Sequence, residues 1–120
     1  MSYDELLKEA ERAKENSYSP YSHFKVGAAL LAESGRVYTG VNVENVSFGV
    51  TVCAERSALC AAVSMGERRF KALAVTADKL VFPCGICRQA LLEFGDIDII
   101  LKNKEVKRLS ELMPDGFVEF

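Results

Sequence analysis

The sequence has no apolar run long enough to cross a bilayer and no excess of basic residues. Its 15 basic and 17 acidic residues give a formal net charge of −2. A surface that holds a nucleic acid strand normally needs a basic excess or a basic stripe. The composition therefore argues against a membrane-spanning protein and against nucleic acid as a partner.

Signals for export and for division into several domains are also missing. Residues 1–5 lack the basic start and apolar centre of a signal peptide. We therefore expect a cytoplasmic protein, in which thiols stay reduced. Four cysteines in that compartment indicate a metal site or a catalytic group more than disulfides. No repeat or linker divides the 120 residues, so a single domain over residues 1–120 is predicted.

The periodicity of apolar residues predicts alternating helices and strands. Ser2, followed three residues later by Glu5, fits a capping box for the first helix. The predicted helices cover residues 3–16, 54–65, 85–94 and 109–113. The predicted strands cover residues 25–32, 36–43, 70–76, 97–101 and 104–106. A hairpin followed by helix–strand alternation predicts a three-layer α/β/α sandwich. Its mixed five-stranded sheet should be antiparallel at the start and parallel across the helical crossovers.

The cysteines have the spacing of zinc ligands. Cys84 and Cys87 form a C-x-x-C pair, which commonly supplies two ligands to one zinc ion. A third ligand must be Cys53 or Cys60, and only one of them can reach because seven residues of helix span about 10 Å. Cys53 starts its helix, as Cys84 does, and the backbone N–H groups there favour a thiolate. Cys60 lies mid-helix among small apolar residues and is predicted to be buried.

The residues after Cys53 suggest a reaction as well as a metal. Three protein ligands leave a fourth position on zinc for water. Glu55 is not needed as a ligand, and a carboxylate there can take a proton from that water and deliver it to a leaving nitrogen. An isolated glutamate in this place would be an ordinary first-turn residue, but the downstream C-x-x-C favours the catalytic interpretation. Arg56 is placed to hydrogen-bond the thiolates. Arg88 is a second candidate, with a surface ion pair as its alternative.

In these motifs the chain resembles the small, single-domain, zinc-dependent cytidine deaminases. The resemblance also includes segments outside the cysteine motifs and spans nearly the whole chain. The matching segments are residues 19–29 (SPYSHFKVGAA), 40–45 (GVNVEN), 51–58 (TVCAERSA), 83–89 (PCGICRQ) and 111–114 (ELMP).

The resemblance implies hydrolytic deamination of cytidine and 2′-deoxycytidine to uridine and 2′-deoxyuridine, with ammonia released, in pyrimidine salvage. It implies that Glu55 transfers protons and that Arg56 hydrogen-bonds the thiolates. It also implies one zinc ion per chain, bound by Cys53, Cys84 and Cys87.

Substrate contacts are implied in the same way. Asn42 and Glu44 match a pair that hydrogen-bonds the ribose, and an amide and a carboxylate two residues apart at a strand end can face one sugar. Phe24 matches an aromatic residue that packs on the base, and Ala54 is a further expected contact. Members of the family act as homotetramers.

Phe48 and Phe117 correspond to positions that reach into or line a neighbouring subunit's pocket. Phe48 stands where relatives often have tyrosine. Residues 78–82 form a short apolar segment where relatives often have a longer polar one. These departures bear on subunit contacts rather than on the reaction.

Other functions remain as alternatives. A blasticidin-type deaminase shares the cysteine motifs, but Asn42 and Glu44 favour a ribonucleoside. A polynucleotide deaminase normally uses histidine as its first ligand and needs a basic surface. A non-enzymatic structural zinc module would need a fourth protein ligand, and neither Cys60 nor His23, expected to face solvent, is well placed. A dithiol redox protein would leave Cys53 and Glu55 without a role.

Overall fold

The computed structural model describes residues 1–119, in which helices and strands alternate as predicted. The helices are α1 (Tyr3–Lys14), α2 (Ala54–Ser64), α3 (Gly85–Leu92) and α4 (Leu109–Leu112). The strands are β1 (Val26–Ala32), β2 (Val37–Val41), β3 (Phe70–Ala77), β4 (Asp98–Ile100) and β5 (Val106–Arg108). A single 3₁₀ turn, Phe48–Val50, lies in the segment between β2 and α2. Among residues 1–119, no helix is long and apolar enough to cross a membrane.

The five strands form one mixed sheet in the order β2-β1-β3-β4-β5. β1 pairs antiparallel with both β2 and β3, β3 pairs parallel with β4, and β4 pairs antiparallel with β5. β2 and β3 both run opposite to β1 and are therefore parallel to each other. The crossovers through α2 (β2 to β3) and through α3 (β3 to β4) thus each join two parallel strands. The predicted mixed sheet is confirmed. The fifth strand lies two residues later than predicted and closes a second hairpin.

Helices cover both faces of the sheet, which gives the predicted three layers. Side chains alternate along a strand, so β1 presents Ala29 and Leu31 to one face and Ala28 and Leu30 to the other. The first set packs with Leu6, Leu7 and Ala10 of α1. The second set packs with residues of α2, α3 and α4, namely Ala54, Ala58, Leu59, Ala62, Leu91 and Leu109.

Two local features set where the helices start. Ser2 Oγ accepts a hydrogen bond from the Glu5 N–H at 3.1 Å, and the Ser2 N–H donates to Glu5 Oε1 at 3.2 Å, which confirms the capping box. At the start of α2, a Cβ on Gly40 would overlap backbone atoms of Ala54 and Ala58. Glycine at this position of β2 therefore lets the first turn of α2, with Cys53 beside it, lie directly against the sheet.

The prediction that Cys60 is buried is wrong, because its side chain is exposed. α2 packs on the sheet through Ala54, Ala58 and Ala62, which are four residues apart. Cys60 lies on the opposite side of the helix, together with exposed Ala61. Small residues occur all round this helix, so their pattern does not indicate which side faces the core.

Candidate active site

Three cysteine sulfurs meet where the N-termini of α2 and α3 come together. Cys53 and Cys84 are the N-cap residues of these helices, and neither side chain caps its own helix. Cys87 lies in the first turn of α3 and is buried. The three Sγ atoms lie within 4.8 Å of one another, with Cys53 Sγ 3.9 Å from Cys84 Sγ. Tetrahedral zinc with Zn–S bonds of about 2.3 Å separates its sulfurs by about 3.8 Å, so this donor set fits one zinc ion.

The surroundings of Cys53 favour its thiolate. A hydrogen bond from the Cys87 thiol, and then one from Arg56, lowers the pKa of Cys53 to about 5. Arg56 Nη2 is 3.5 Å from Cys53 Sγ. The hydrogen bond to Cys53, together with burial, raises the pKa of Cys87. A metal ion that replaces the proton between the two sulfurs would hold both as thiolates, and Arg56 would offset part of their charge.

Glu55 lies beside the sulfurs in a buried position. Its side chain is only 5% exposed and lines the same cavity as Cys53 and Cys84. Burial raises the pKa of Glu55 to about 7, and the negative charge of Cys53 contributes in the same direction. A carboxyl group with a pKa near neutrality can both accept and donate a proton, which is the property required of an acid–base catalyst.

A cavity of about 230 Å³ opens next to this cluster. It is bounded by apolar side chains and by the cysteine and glutamate groups. Its lining residues are Phe24, Val26, Asn42, Thr51, Val52, Cys53, Ala54, Glu55, Val81, Phe82 and Cys84. A second cavity of about 420 Å³ is lined by Tyr21, Ser22, Glu44, Asn45, Phe48 and Thr51. Thr51 borders both, so an inner cavity at the sulfurs adjoins an outer one.

Asn42 is held rigidly at the edge of the inner cavity. Its Oδ1 accepts hydrogen bonds from the Val26 N–H at 3.0 Å and from the Ser17 hydroxyl. Its Nδ2 donates to the Phe24 carbonyl at 2.8 Å. An amide nitrogen carries two hydrogens, so one donor of Asn42 is left for a ligand.

Glu44 is held in the outer cavity by the loop that follows α1. Its carboxylate accepts hydrogen bonds from the N–H groups of Tyr21 and Ser22 at 3.0 and 3.1 Å, and from the Ser22 hydroxyl. These bonds, chiefly those from Ser22, lower the pKa of Glu44, so the group stays ionised. A carboxylate has about four acceptor sites, and the remaining one can receive a hydroxyl group.

The other predicted substrate contacts divide between the cavities. Phe24 and Ala54 line the inner cavity, and Phe48, which is 80% exposed, lines the outer one. Phe117 is 55% exposed and borders neither cavity of its own chain. Its carbonyl accepts a hydrogen bond from Gln89 Nε2 at 2.7 Å. The structure thus brings together every predicted site residue except Phe117.

Among residues 1–119, Arg88 makes neither a thiolate contact nor an ion pair. Its Nε donates to the Pro83 carbonyl and its Nη1 to the Leu112 carbonyl, both at 2.6 Å. Arg88 therefore fixes the turn before Cys84 to the end of α4. The sequence suggests a thiolate contact or a surface ion pair for Arg88. It does not suggest this structural role, because the acceptors are backbone carbonyls, which every residue carries.

Sequence reasoning missed part of the inner cavity wall. Val81 and Phe82 line the cavity from the segment between β3 and α3, and Val81 also packs against the core. The apolar character of residues 78–82 was the available signal. On the sequence alone this segment stands out only as a departure from the family pattern, because nothing local shows that it borders a cavity.

Comparisons with known proteins agree with this geometry. The family profile for the cytidine and deoxycytidylate deaminase zinc-binding region matches residues 1–102. A cytidine deaminase of Sporosarcina psychrophila is 47% identical over an alignment of 125 positions, gaps included. The alignment covers 98% of this chain and 92% of that protein. A cytidine deaminase of Mycobacterium tuberculosis is 47% identical over 111 residues. The alignment covers 90% of this chain and 84% of that protein.

Solved structures show the same arrangement of helices and strands. The crystal structure of cytidine deaminase from Mycobacterium tuberculosis superposes with a TM-score of 0.92 at 44% identity, with 99% of each chain covered. That from Burkholderia pseudomallei gives a TM-score of 0.90 at 41% identity, covering 98% of this chain and 100% of the other. The mixed sheet, the three cysteines and these matches together place the chain in the cytidine and deoxycytidylate deaminase family.

Proposed function

We propose that this protein is a zinc-dependent cytidine deaminase that hydrolyses cytidine and 2′-deoxycytidine to uridine and 2′-deoxyuridine, with release of ammonia, for pyrimidine salvage. The observation that carries the proposal is the buried Glu55, which lines one cavity with Cys53 and Cys84, two of the three cysteines whose sulfurs lie close together. Three protein ligands leave the fourth zinc position open, as in catalytic rather than structural sites. Membership of the deaminase family supports the same reaction.

Cys53, Cys84 and Cys87 would hold the zinc ion. When bound, zinc supplies a Lewis acid and lowers the pKa of a water molecule, so that a nucleophile is available near neutral pH. Glu55 takes the proton of the attacking water and delivers it to N3 of the pyrimidine. The water oxygen bonds to C4. Glu55 then moves the second proton to the exocyclic amino group, the C4–N bond breaks, and ammonia leaves as the C4 carbonyl forms.

The remaining contacts would orient the nucleoside. Phe24 and Ala54 border the inner cavity, where the pyrimidine must lie for C4 to approach the zinc position. The free Nδ2 hydrogen of Asn42 and the free acceptor of Glu44 would bind the ribose hydroxyl groups across the junction of the two cavities. Because protein hydrogen bonds already fix both side chains, little rotamer freedom remains to be lost on binding.

An ultraviolet assay tests this proposal. Cytidine, 2′-deoxycytidine, cytosine and cytidine monophosphate are added separately to the zinc-loaded protein. We expect both nucleosides to be deaminated and the free base and the nucleotide to be poor substrates. The free base lacks the sugar that Asn42 and Glu44 would bind, and the phosphate of the nucleotide would bring negative charge towards the ionised Glu44 carboxylate in the outer cavity. Absence of cytidine turnover in protein that contains zinc would contradict the proposal and favour a structural zinc module. Turnover of blasticidin S in preference to cytidine would favour the blasticidin-type alternative.

We propose further that the protein is a cytoplasmic homotetramer in which Phe48 and Phe117 complete a neighbouring pocket. Support comes from exposed apolar side chains around the site, including Val46 and Val50. Free cysteines also suit a reducing compartment. Sedimentation equilibrium should give four times the chain mass of 13.2 kDa. A monomer at micromolar concentration would contradict the tetramer.

A further inference from the structure

Two phenyl rings from distant parts of the chain border the inner cavity. Phe24 comes from the loop before β1, and Phe82 comes from the segment between β3 and α3. Phe82 is 43% exposed, although an aromatic ring gains most when it is buried. An exposed ring in the wall of a ligand cavity has a surface available for a ligand to cover.

Phe82 belongs to the metal end of this cavity. It precedes Pro83 and Cys84, and consecutive Cα atoms are about 3.8 Å apart, so its backbone lies within about 8 Å of that of the ligand Cys84. Its side chain lines the same cavity as Cys53 and Cys84. In the proposed reaction, C4 and its exocyclic nitrogen must occupy this end, because the nucleophile adds to C4 there.

The segment that carries Phe82 is tied down at its start. Lys14 Nζ lies 3.2 Å from Asp78 Oδ1, and the Lys14 side chain is only 10% exposed. Lys14 also pairs with Glu11 at 3.3 Å, so the lysine is fixed from its own helix as well. One residue further on, Lys79 Nζ lies 5.5 Å from the centre of the Phe24 ring, within the range of a cation–π contact.

The segment is tied down at its end as well. Val81 packs against the main core, and Pro83 is fully buried. The Pro83 carbonyl accepts the 2.6 Å hydrogen bond from Arg88. With anchors on both sides, the backbone at Phe82 has little freedom to move the ring away from an incoming ligand.

We propose that Phe82 is a specificity-determining residue that closes the cavity beside the exocyclic nitrogen and rejects cytidines with an alkyl group on that nitrogen. This inference rests on the proposed deamination. A methyl group on the nitrogen would occupy the space beside the Phe82 ring. Because the backbone on both sides of Phe82 is anchored, the segment cannot shift to make room for that methyl group. Cytidine itself carries only hydrogens there and fits.

The test compares cytidine with N4-methylcytidine as substrates. Both give uridine on hydrolysis, one with ammonia and the other with methylamine, so one uridine assay measures kcat/KM for both. We expect Phe82→Ala to raise the ratio of N4-methylcytidine to cytidine efficiency by about tenfold or more, the scale at which one methyl group is discriminated in a packed pocket. Phe82→Leu, a milder change, should raise the ratio less and guards against misfolding of the alanine variant.

Leu80→Ala is the matched control, because Leu80 lies in the same segment, is exposed, and does not line the cavity. Its ratio should equal that of the wild type. Ratios for Phe82→Ala and Phe82→Leu that stay within about twofold of the wild type would overturn the inference. Wild-type protein that hydrolyses both substrates equally well would also overturn it. A wild type that does not deaminate cytidine at all would instead refute the proposed function, so the two failures are distinguishable.

Discussion

Replacing Glu55 by glutamine should lower kcat/KM for cytidine by about 10³-fold or more, while the zinc content and the thermal unfolding midpoint change little. Glutamine keeps the shape of the side chain but cannot carry the proton from the attacking water to N3 and then to the leaving nitrogen. Because the Glu55 carboxyl is buried and its pKa is about 7, a neutral amide should be tolerated in the same place. Steady-state kinetics with zinc analysis of the same sample gives the answer.

Glu93→Gln provides the matched control for this variant. Glu93 is an exposed carboxylate at the end of α3, away from both cavities, so its loss should leave activity at the wild-type level. Near-normal turnover by Glu55→Gln would refute the assigned proton transfer. Loss of zinc by that variant would mean that Glu55 supports the metal site rather than the proton transfer.

Replacing Cys53 by alanine should abolish both zinc binding and deamination, whereas Cys60→Ala should keep one zinc ion per chain and full activity. Cys53 supplies one of the three sulfurs that lie within 4.8 Å of one another, and two sulfurs cannot by themselves complete the site. Cys60 is exposed on the far side of α2 and contributes no sulfur to the cluster. Metal analysis after dialysis in reducing buffer distinguishes the two variants.

The two cysteine variants are controls for each other, since each removes one thiol from the same helix region. Circular dichroism of Cys53→Ala establishes whether the fold persists without metal. Retained zinc in Cys53→Ala together with lost zinc in Cys60→Ala would overturn the choice of ligands.

Local patterns predicted those parts of the fold and site that depend on short stretches of chain. The capping of α1 by Ser2 and Glu5 could be predicted because a capping box involves only four consecutive residues. Helical spacing also excluded Cys60 as a partner of Cys53 without any knowledge of the tertiary structure. The mixed sheet followed because a helical crossover joins parallel strands.

Features that depend on contacts between distant segments could not be predicted in the same way. The exposure of Cys60 depends on which side of an alanine-rich helix meets the sheet, and Gly40 on β2 sets that contact. Arg88 donates a hydrogen bond to the carbonyl of Leu112, 24 residues away. Every residue has a backbone carbonyl, so the sequence does not indicate which one an arginine will bind. Phe82 borders the cavity from a segment whose first residue, Asp78, contacts Lys14, 64 residues earlier in the chain.

We propose that the protein adds water to C4 of cytidine at this site and expels the amino group. The most direct measurement is to incubate the zinc-loaded protein with cytidine in oxygen-18 water and determine the mass of the uridine formed and the amount of ammonia. We predict one heavy oxygen in each uridine and one ammonia per uridine, with the reaction lost on zinc removal and restored when zinc is returned. Uridine without the heavy oxygen, or deamination that continues after zinc is removed, would refute a zinc-dependent addition of water.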